Sequence, residues 1–356
     1  MSDLSSVLQQ QVLDAYNHGT ALAITGSGSK SFLGHAVAGQ LMAVTGHRGI
    51  VEYDPRELVL TARSGTPLEE IEAALAEANQ MLAFEPPHFG DAATLGGTIA
   101  CGLSGPRRPY SGSARDFVLG CRMLNGRGEL LRFGGQVMKN VAGYDVSRLM
   151  AGSYGTLGVL LDISLKVLPR PMASTTVVRE CSATEAITGM STLLGKPLPV
   201  DGACYHGEQL HIRLSGSEQA VKEARMKIPG EVQADADAFW QALREQQLPF
   251  FQKNDFPKSG TLYRVMVKPA TPALNIAGSW LLDWGSAQRW LYSSEDAVTI
   301  RRRAEAVGGH VTVFRGGTAS EIFQPLPAAL MAMHQRIKAS FDPNNIFNRG
   351  RLYPNL

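Results

Sequence analysis

The stretch Thr94-Leu95-Gly96-Gly97-Thr98-Ile99-Ala100-Cys101-Gly102-Leu103-Ser104-Gly105 packs four glycines and several small side chains into twelve residues. Glycine gives up more conformational freedom on folding than any other residue, so such a cluster implies backbone held close to something bulky. Two further segments share the character. Gly26-Ser27-Gly28-Ser29-Lys30-Ser31 follows the apolar run Ala21 to Thr25, a place where backbone N–H groups converge on a phosphate. It is not a Walker A loop, because Ser29 precedes Lys30, and it is an incomplete G-x-G-x-x-G, because Ser31 takes the last position. Gly155-Thr156-Leu157-Gly158-Val159 repeats the Thr-Leu-Gly core of the first stretch further along the chain. Three glycine-lined segments fit a dinucleotide with a flat ring system, whose pyrophosphate meets main-chain amides and whose ring fills the room left by missing side chains. The competing reading is a set of tight turns in an all-β scaffold.

Around these segments the chain alternates short strands and turns. The N-terminal Leu4, Val7, Leu8, Val12 and Tyr16 keep one helical face, and Glu57 to Arg63 reads as a strand. Thr66, Pro67 and Glu69 predict a capping box opening a helix whose Leu68, Ile71, Leu75 and Ala78 are turned inward. Asn125-Gly126-Arg127-Gly128 predicts a hairpin between Asp116–Leu124 and Glu129–Phe133. Asp145 to Met150 predicts one or two helical turns, and Val159 to Val167 alternates as a half-buried strand. After Pro169-Arg170-Pro171 the glycine content falls. Strand-like runs (Ala203–Tyr205, Leu210–Leu214, Leu262–Val267) then alternate with helical ones (Glu218–Met226, Ala238–Gln246, Ser294–Val307), which predicts an α+β domain with an antiparallel sheet. A helix from Pro327 to Phe341 and an extended tail close the chain. The expected domains are 1–171, 172–325 and a C-terminal helix and tail over 326–356.

Bulk properties narrow the function. The 356 residues suit about two domains, and a formal net charge of +2 gives no field for nucleic acid. No apolar run reaches the roughly 18 residues of a membrane span, and no signal peptide is evident. Cys101, Cys121, Cys181 and Cys204 form no C-x-x-C pair, which predicts reduced thiols and no iron–sulfur cluster on this chain. A cytoplasmic location is expected, with peripheral attachment to the inner face of the membrane through partners as an option.

The string from Thr94 to Gly112, then Lys139 to Asp145, then Gly152 to Gly158, resembles the FAD-binding domain of the vanillyl-alcohol oxidase and p-cresol methylhydroxylase (PCMH) superfamily. Phe341-Asp342-Pro343-Asn344-Asn345-Ile346-Phe347-Asn348-Arg349-Gly350-Arg351 resembles its C-terminal signature. Phe84 to His88, Gly105 to Pro109 and Leu281 to Gly285 carry a narrower, end-to-end similarity to the glycolate oxidase FAD-binding subunit family. The resemblance implies an α+β fold: a PCMH-type FAD-binding domain of two α+β subdomains followed by an α+β cap with an antiparallel sheet. It also implies a role as the FAD-binding subunit of a glycolate oxidase complex that turns a small 2-hydroxy acid into its oxo acid. A larger FAD subunit and an iron–sulfur subunit would be its partners. By motif position, Gly26, Ser27, Gly28, Ser29, Lys30 and Ser31 would hold the pyrophosphate. Thr94, Gly96, Gly97, Ile99, Gly102, Lys139, Gly152, Thr156, Gly158 and Val159 would line the cofactor, and Asn348 and Arg351 would return to it. No His or Cys stands at the usual attachment places, so FAD is expected to be noncovalent.

Oxidation of a 2-hydroxy acid needs a base, a cation for the carboxylate and positive charge near the flavin. His88 is the candidate base, with Tyr110 or Tyr144 as alternatives; Arg107, Arg108, Arg115, Lys139 and Arg351 are the candidate cations. Each has a plain reading as a solvated or structural residue. The larger relatives' metal motif is matched only by His206-Gly207-Glu208-Gln209-Leu210-His211, which reads better as a hairpin turn, so no metal is expected. Two functions follow: a flavin subunit that relays electrons, or a self-sufficient 2-hydroxy acid dehydrogenase. A scaffold without flavin is the non-enzymatic alternative.

Overall fold

A computed structural model describes residues 2–135, 145–252, 260–317 and 322–356. Lys139 and Tyr144 therefore lie outside the described residues. The chain divides into two compact units: Met1–Ser104 with Gly112–Arg170 and Pro325–Leu356, and Gly105–Ser111 with Pro171–Gln324.

The first unit is built on a five-stranded antiparallel sheet in the order Ile50–Asp54, Val59–Arg63, Val159–Lys166, Val118–Leu124, Leu130–Gly134. The expected hairpin is present, with Leu124 opposite Leu130 and Asn125 Oδ1 accepting from the Arg127 and Glu129 N–H groups. Val159–Lys166 was read as half-buried, yet six of its eight residues are buried. It pairs on both edges, so alternation marks the two packed faces of a central strand rather than a wet and a dry one.

The helix Leu68–Glu77 buries Leu68, Ile71 and Leu75 as its spacing requires. The capping box does not form. Pro67 occupies the cap position, and the Thr66 hydroxyl instead accepts from the Gly49 N–H at 2.9 Å. Leu95–Cys101, within the glycine-rich stretch, is a helix capped by Thr94, whose hydroxyl accepts from the Gly97 N–H at 3.3 Å. Beside the main sheet, Leu22–Thr25 pairs in parallel with Gln40–Ala43. The helix Ser5–His18 packs Leu8, Val12 and Ala15 into the same core, while Val7 remains exposed.

The second unit carries an eight-stranded antiparallel sheet in the order Glu231–Val232, Ala173–Glu180, Gln209–Gly216, Val200–His206, Ser279–Asp283, Gln288–Ser293, Thr261–Met266, His310–Arg315. Helices Ala183–Leu194 and Glu218–Lys227 cover one end of it, and Ala297–Glu305 packs over another core beneath the same sheet. His206 and Gln209 close a hairpin, as the sequence pattern implied. His211 stacks on Phe239 at 4.0 Å and its Nδ1 meets Gln233 Oε1 at 2.9 Å, a fully structural use of that imidazole.

Candidate functional site

Within the first unit a cleft gathers residues from all three glycine-rich segments and from the C-terminal tail. The strand Leu22–Thr25 delivers the first loop. Ser31 N–H donates to the Gly28 carbonyl, whereas the N–H groups of Ser27 and Gly28 make no protein hydrogen bond among the described residues and stand open to an anion. Gly28 has φ +80°, a left-handed conformation that costs a side-chain residue about 1–2 kcal/mol, and a Cβ there would project into open space.

Lys30 is only 6% exposed; its Nζ donates to the His88 carbonyl at 3.1 Å and lies 5.8 Å from the Phe89 ring centre. Arg351 is fastened by Nη1 to the His35 carbonyl (2.7 Å) and by Nη2 to the Ser31 carbonyl (3.0 Å), which also steadies the loop. Burial pulls the Arg351 guanidinium below its ordinary acidity constant. Among the described residues no Asp or Glu lines the cleft, so Lys30 and Arg351 set its charge.

The helix Leu95–Cys101 explains the second segment. Leu95 and Ile99 point into the core, while Gly96, Gly97, Ala100 and Cys101 present the cleft with little or no side chain. A Cβ on Gly96 would lie 2.6 Å from Ser64 Cβ, and one on Gly26 would collide with Thr94 Oγ1, so the first loop packs directly on the side chain that caps the helix. Burial pushes the Cys101 thiol up to about 11, against the pull of Lys30 and Arg351. The third segment is stitched to this helix: Gly152 N–H donates to Ile99 O at 3.0 Å and Tyr154 N–H to Ala100 O at 2.8 Å.

Asn348 joins the first and third segments. Its Oδ1 accepts from the Ile24 N–H at 2.8 Å, and its Nδ2 donates to the Tyr154 carbonyl at 2.7 Å. Behind it the buried Lys338 Nζ donates to Thr156 O (2.7 Å) and Phe347 O (2.8 Å) and pairs with Asp342 at 2.6 Å.

Of the expected cofactor residues, Gly26, Ser27, Gly28, Ser29, Lys30, Ser31, Thr94, Gly96, Gly97, Gly158, Asn348 and Arg351 line this cleft. Ile99 and Val159 sit in the apolar cores, Gly102 and Gly152 abut one another, and Thr156 turns its hydroxyl to the Ser153 carbonyl. Ser153, Tyr154 and Gly155 of the expected third segment line it too, and Ser64, Leu41 from the short parallel pair and Val44 just after it line it unannounced by the sequence pattern.

The catalytic candidates His88, Arg107 and Tyr110 are not among the residues that line this cleft. His88 Nε2 meets Glu72 Oε1 at 3.2 Å and does not line the cleft. Arg107 and Tyr110 belong to the second unit. Arg107 forms a close ion pair with Asp201, which Arg213 also binds at 2.8 Å. Tyr110 packs against the core under the eight-stranded sheet, where burial first, and then the charges of Asp283 and Asp201, push its phenol well up.

Comparison with known proteins agrees with this architecture. Residues 6–134 match a family described as an FAD binding domain. The chain is 53% identical over 354 residues to the glycolate oxidase subunit GlcE of Escherichia coli, covering 99% of each sequence. It is 35% identical over 155 residues to a D-lactate dehydrogenase of Anaerostipes hadrus, which is 42% of this chain and 32% of that one. Among solved structures, an alkyldihydroxyacetonephosphate synthase superposes with a TM-score of 0.68 over 96% of this chain and 74% of that chain, at 14% identity, a likeness of fold.

Proposed function

The chain belongs to the family of the glycolate oxidase subunit GlcE, and from that premise we propose that it is the noncovalent FAD-carrying subunit of a glycolate-oxidising complex. The observation that carries the proposal is the cleft itself: three glycine-lined segments and two cations converge with no carboxylate among the described lining residues. Pyrophosphate fits the part of the cleft lined by Ser27, Gly28 and Lys30, where the first two N–H groups make no protein hydrogen bond among the described residues. Gly97, Ala100 and Cys101 line the cleft with little or no side chain, which leaves room for flat rings. FAD bound there supplies an electron acceptor for hydroxy-acid oxidation and a donor to an onward carrier. No His lines the cleft among the described residues, and a thiol held protonated by burial, as Cys101 is, makes a poor nucleophile; both support noncovalent binding.

In this reading substrate is oxidised on a larger flavin subunit, and this chain passes electrons toward an iron–sulfur partner. The fate of the catalytic candidates supports it. Arg107 is committed to Asp201, Tyr110 is a weakened acid in an apolar core, and the His88 ring serves Glu72. None of the three is among the residues that line the cofactor cleft. The purified chain, loaded with FAD and mixed anaerobically with glycolate, is expected to keep its oxidised flavin spectrum. Rapid bleaching would instead establish a self-sufficient dehydrogenase.

A further inference from the structure

The second unit contains a separate cleft of about 390 Å³, within the roughly 300–1,000 Å³ range of small-ligand pockets. It lies between the C-terminal ends of the helices Ala183–Leu194 and Glu218–Lys227, on the side of the sheet that these helices cover. Leu193, Ile212 and Ile228 give it an apolar wall, while its charged lining residues are Arg179, Lys196 and Lys227, all cations.

Arg179 is the unusual member. It stands opposite Leu210 in the strand pairing, so its side chain leaves the sheet on the face that carries Val177 and Leu210 into the core. The route is opened by Gly189, in the middle of the covering helix. A Cβ at that position would lie 2.9 Å from Arg179 Nη2 and 3.5 Å from Leu210. Glycine inside a helix costs about 1 kcal/mol relative to alanine, and here it admits a guanidinium under the helix.

Once there, the half-buried guanidinium has no hydrogen-bond acceptor and no carboxylate within 4.0 Å among the described residues. Glu185 feels its charge, but that carboxylate already accepts from the Ser182 N–H (2.8 Å) and hydroxyl (2.7 Å). Lys227 has a simple explanation as a cation near a helix C-terminus, and Lys196 as an exposed turn residue. Neither explanation covers Arg179, because partly desolvating a cation without an anion is costly.

We propose that this cleft binds a small organic carboxylate with an apolar body. The carboxylate pairs with the Arg179 guanidinium, the body rests on Leu193, Ile212 and Ile228, and the two lysines raise the local potential at the rim. Inorganic phosphate offers the charge without the body, and an alcohol offers the body without the charge, so both fit worse.

The test is calorimetric titration of the full-length, FAD-loaded chain with hexanoate, with hexanol and inorganic phosphate as controls. Saturable hexanoate binding is expected, with hexanol and phosphate each much weaker. Arg179→Gln is expected to weaken hexanoate about tenfold or more, the worth of one charge-assisted hydrogen bond. Gly189→Ala, which displaces the guanidinium, should also weaken it, and Lys196→Gln should do so less. Unchanged flavin content in each variant shows that the fold survives. Absence of hexanoate binding, equal binding of hexanol, or affinity unaltered by Arg179→Gln would overturn the assignment. Loss of hexanoate binding on assembly with partner subunits would overturn it too, by giving the site to a partner's acidic side chain.

Discussion

At the scale of single residues, Lys30 and Gly28 carry the most weight. Lys30 is buried among neutral partners that the described structure names, the His88 carbonyl and the Phe89 ring, and its charge faces the cleft. Lys30→Met should lower FAD affinity about 10- to 100-fold, the loss of a charge-assisted contact. The melting temperature of the FAD-free chain should fall as well, because the hydrogen bond to the His88 carbonyl is lost. Fluorescence titration with FAD alongside apo melts would check both. Gly28→Val should weaken FAD further and also cost the apo chain about 1–2 kcal/mol, because the residue holds φ +80°. The first loop was legible because strand, glycine and lysine follow one another directly in sequence. Ile99 and Val159, expected beside the cofactor, have their side chains buried in the cores for an equally physical reason. Motif position locates a segment, but the helical and strand periods inside it turn those two side chains toward the cores.

At the scale of elements, the cleft depends on how the C-terminal tail is tied down. Lys338, Asp342 and the carbonyls of Thr156 and Phe347 form one buried knot between the last helix, the tail and the third glycine segment. Lys338→Met leaves Asp342 buried without its cation and should destabilise the chain by about 3–5 kcal/mol, as read from denaturant unfolding. In the sequence Lys338 is one polar residue within the helix expected from Pro327 to Phe341. Nothing local announced that a tail beyond it would fold back over the ammonium.

The N-terminal helix has a pH signature. The Ser5 hydroxyl and N–H, and then Arg63, hold the Asp3 carboxyl well below its ordinary 3.8. A carboxyl depressed on folding contributes stability that is complete above 3.8 and fades as pH falls below it. Melting temperatures measured down a pH series should therefore drop less steeply below that point in Asp3→Asn than in the parent. Because Asp3 is half exposed, the difference should shrink in high salt. Identical acid limbs would refute this role.

At the scale of the whole molecule, the antiparallel sheets, the hairpin at Asn125–Gly128 and the α+β second unit could be read from alternation and turn residues. The segment Gly105–Ser111 could not. It lies in sequence between parts of the first unit, yet its contacts belong to the second, where the Trp284 Nε1–H donates to the Gly105 carbonyl at 2.9 Å and Arg108 lies over the Trp284 ring at 4.3 Å. Seven residues are too few for a composition shift to mark such a crossing. This is why Arg107 and Tyr110 look like cofactor-side candidates in the sequence. The central claim is that the glycine-lined cleft of the first unit holds FAD without a covalent bond. The direct measurement is to mix the purified chain with FAD, pass it through gel filtration, and record the absorbance of the protein peak before and after acid precipitation. A flavin band that travels with the protein and is released wholly into the acid supernatant is expected. A colourless protein peak, or flavin that stays with the precipitate, would contradict the account.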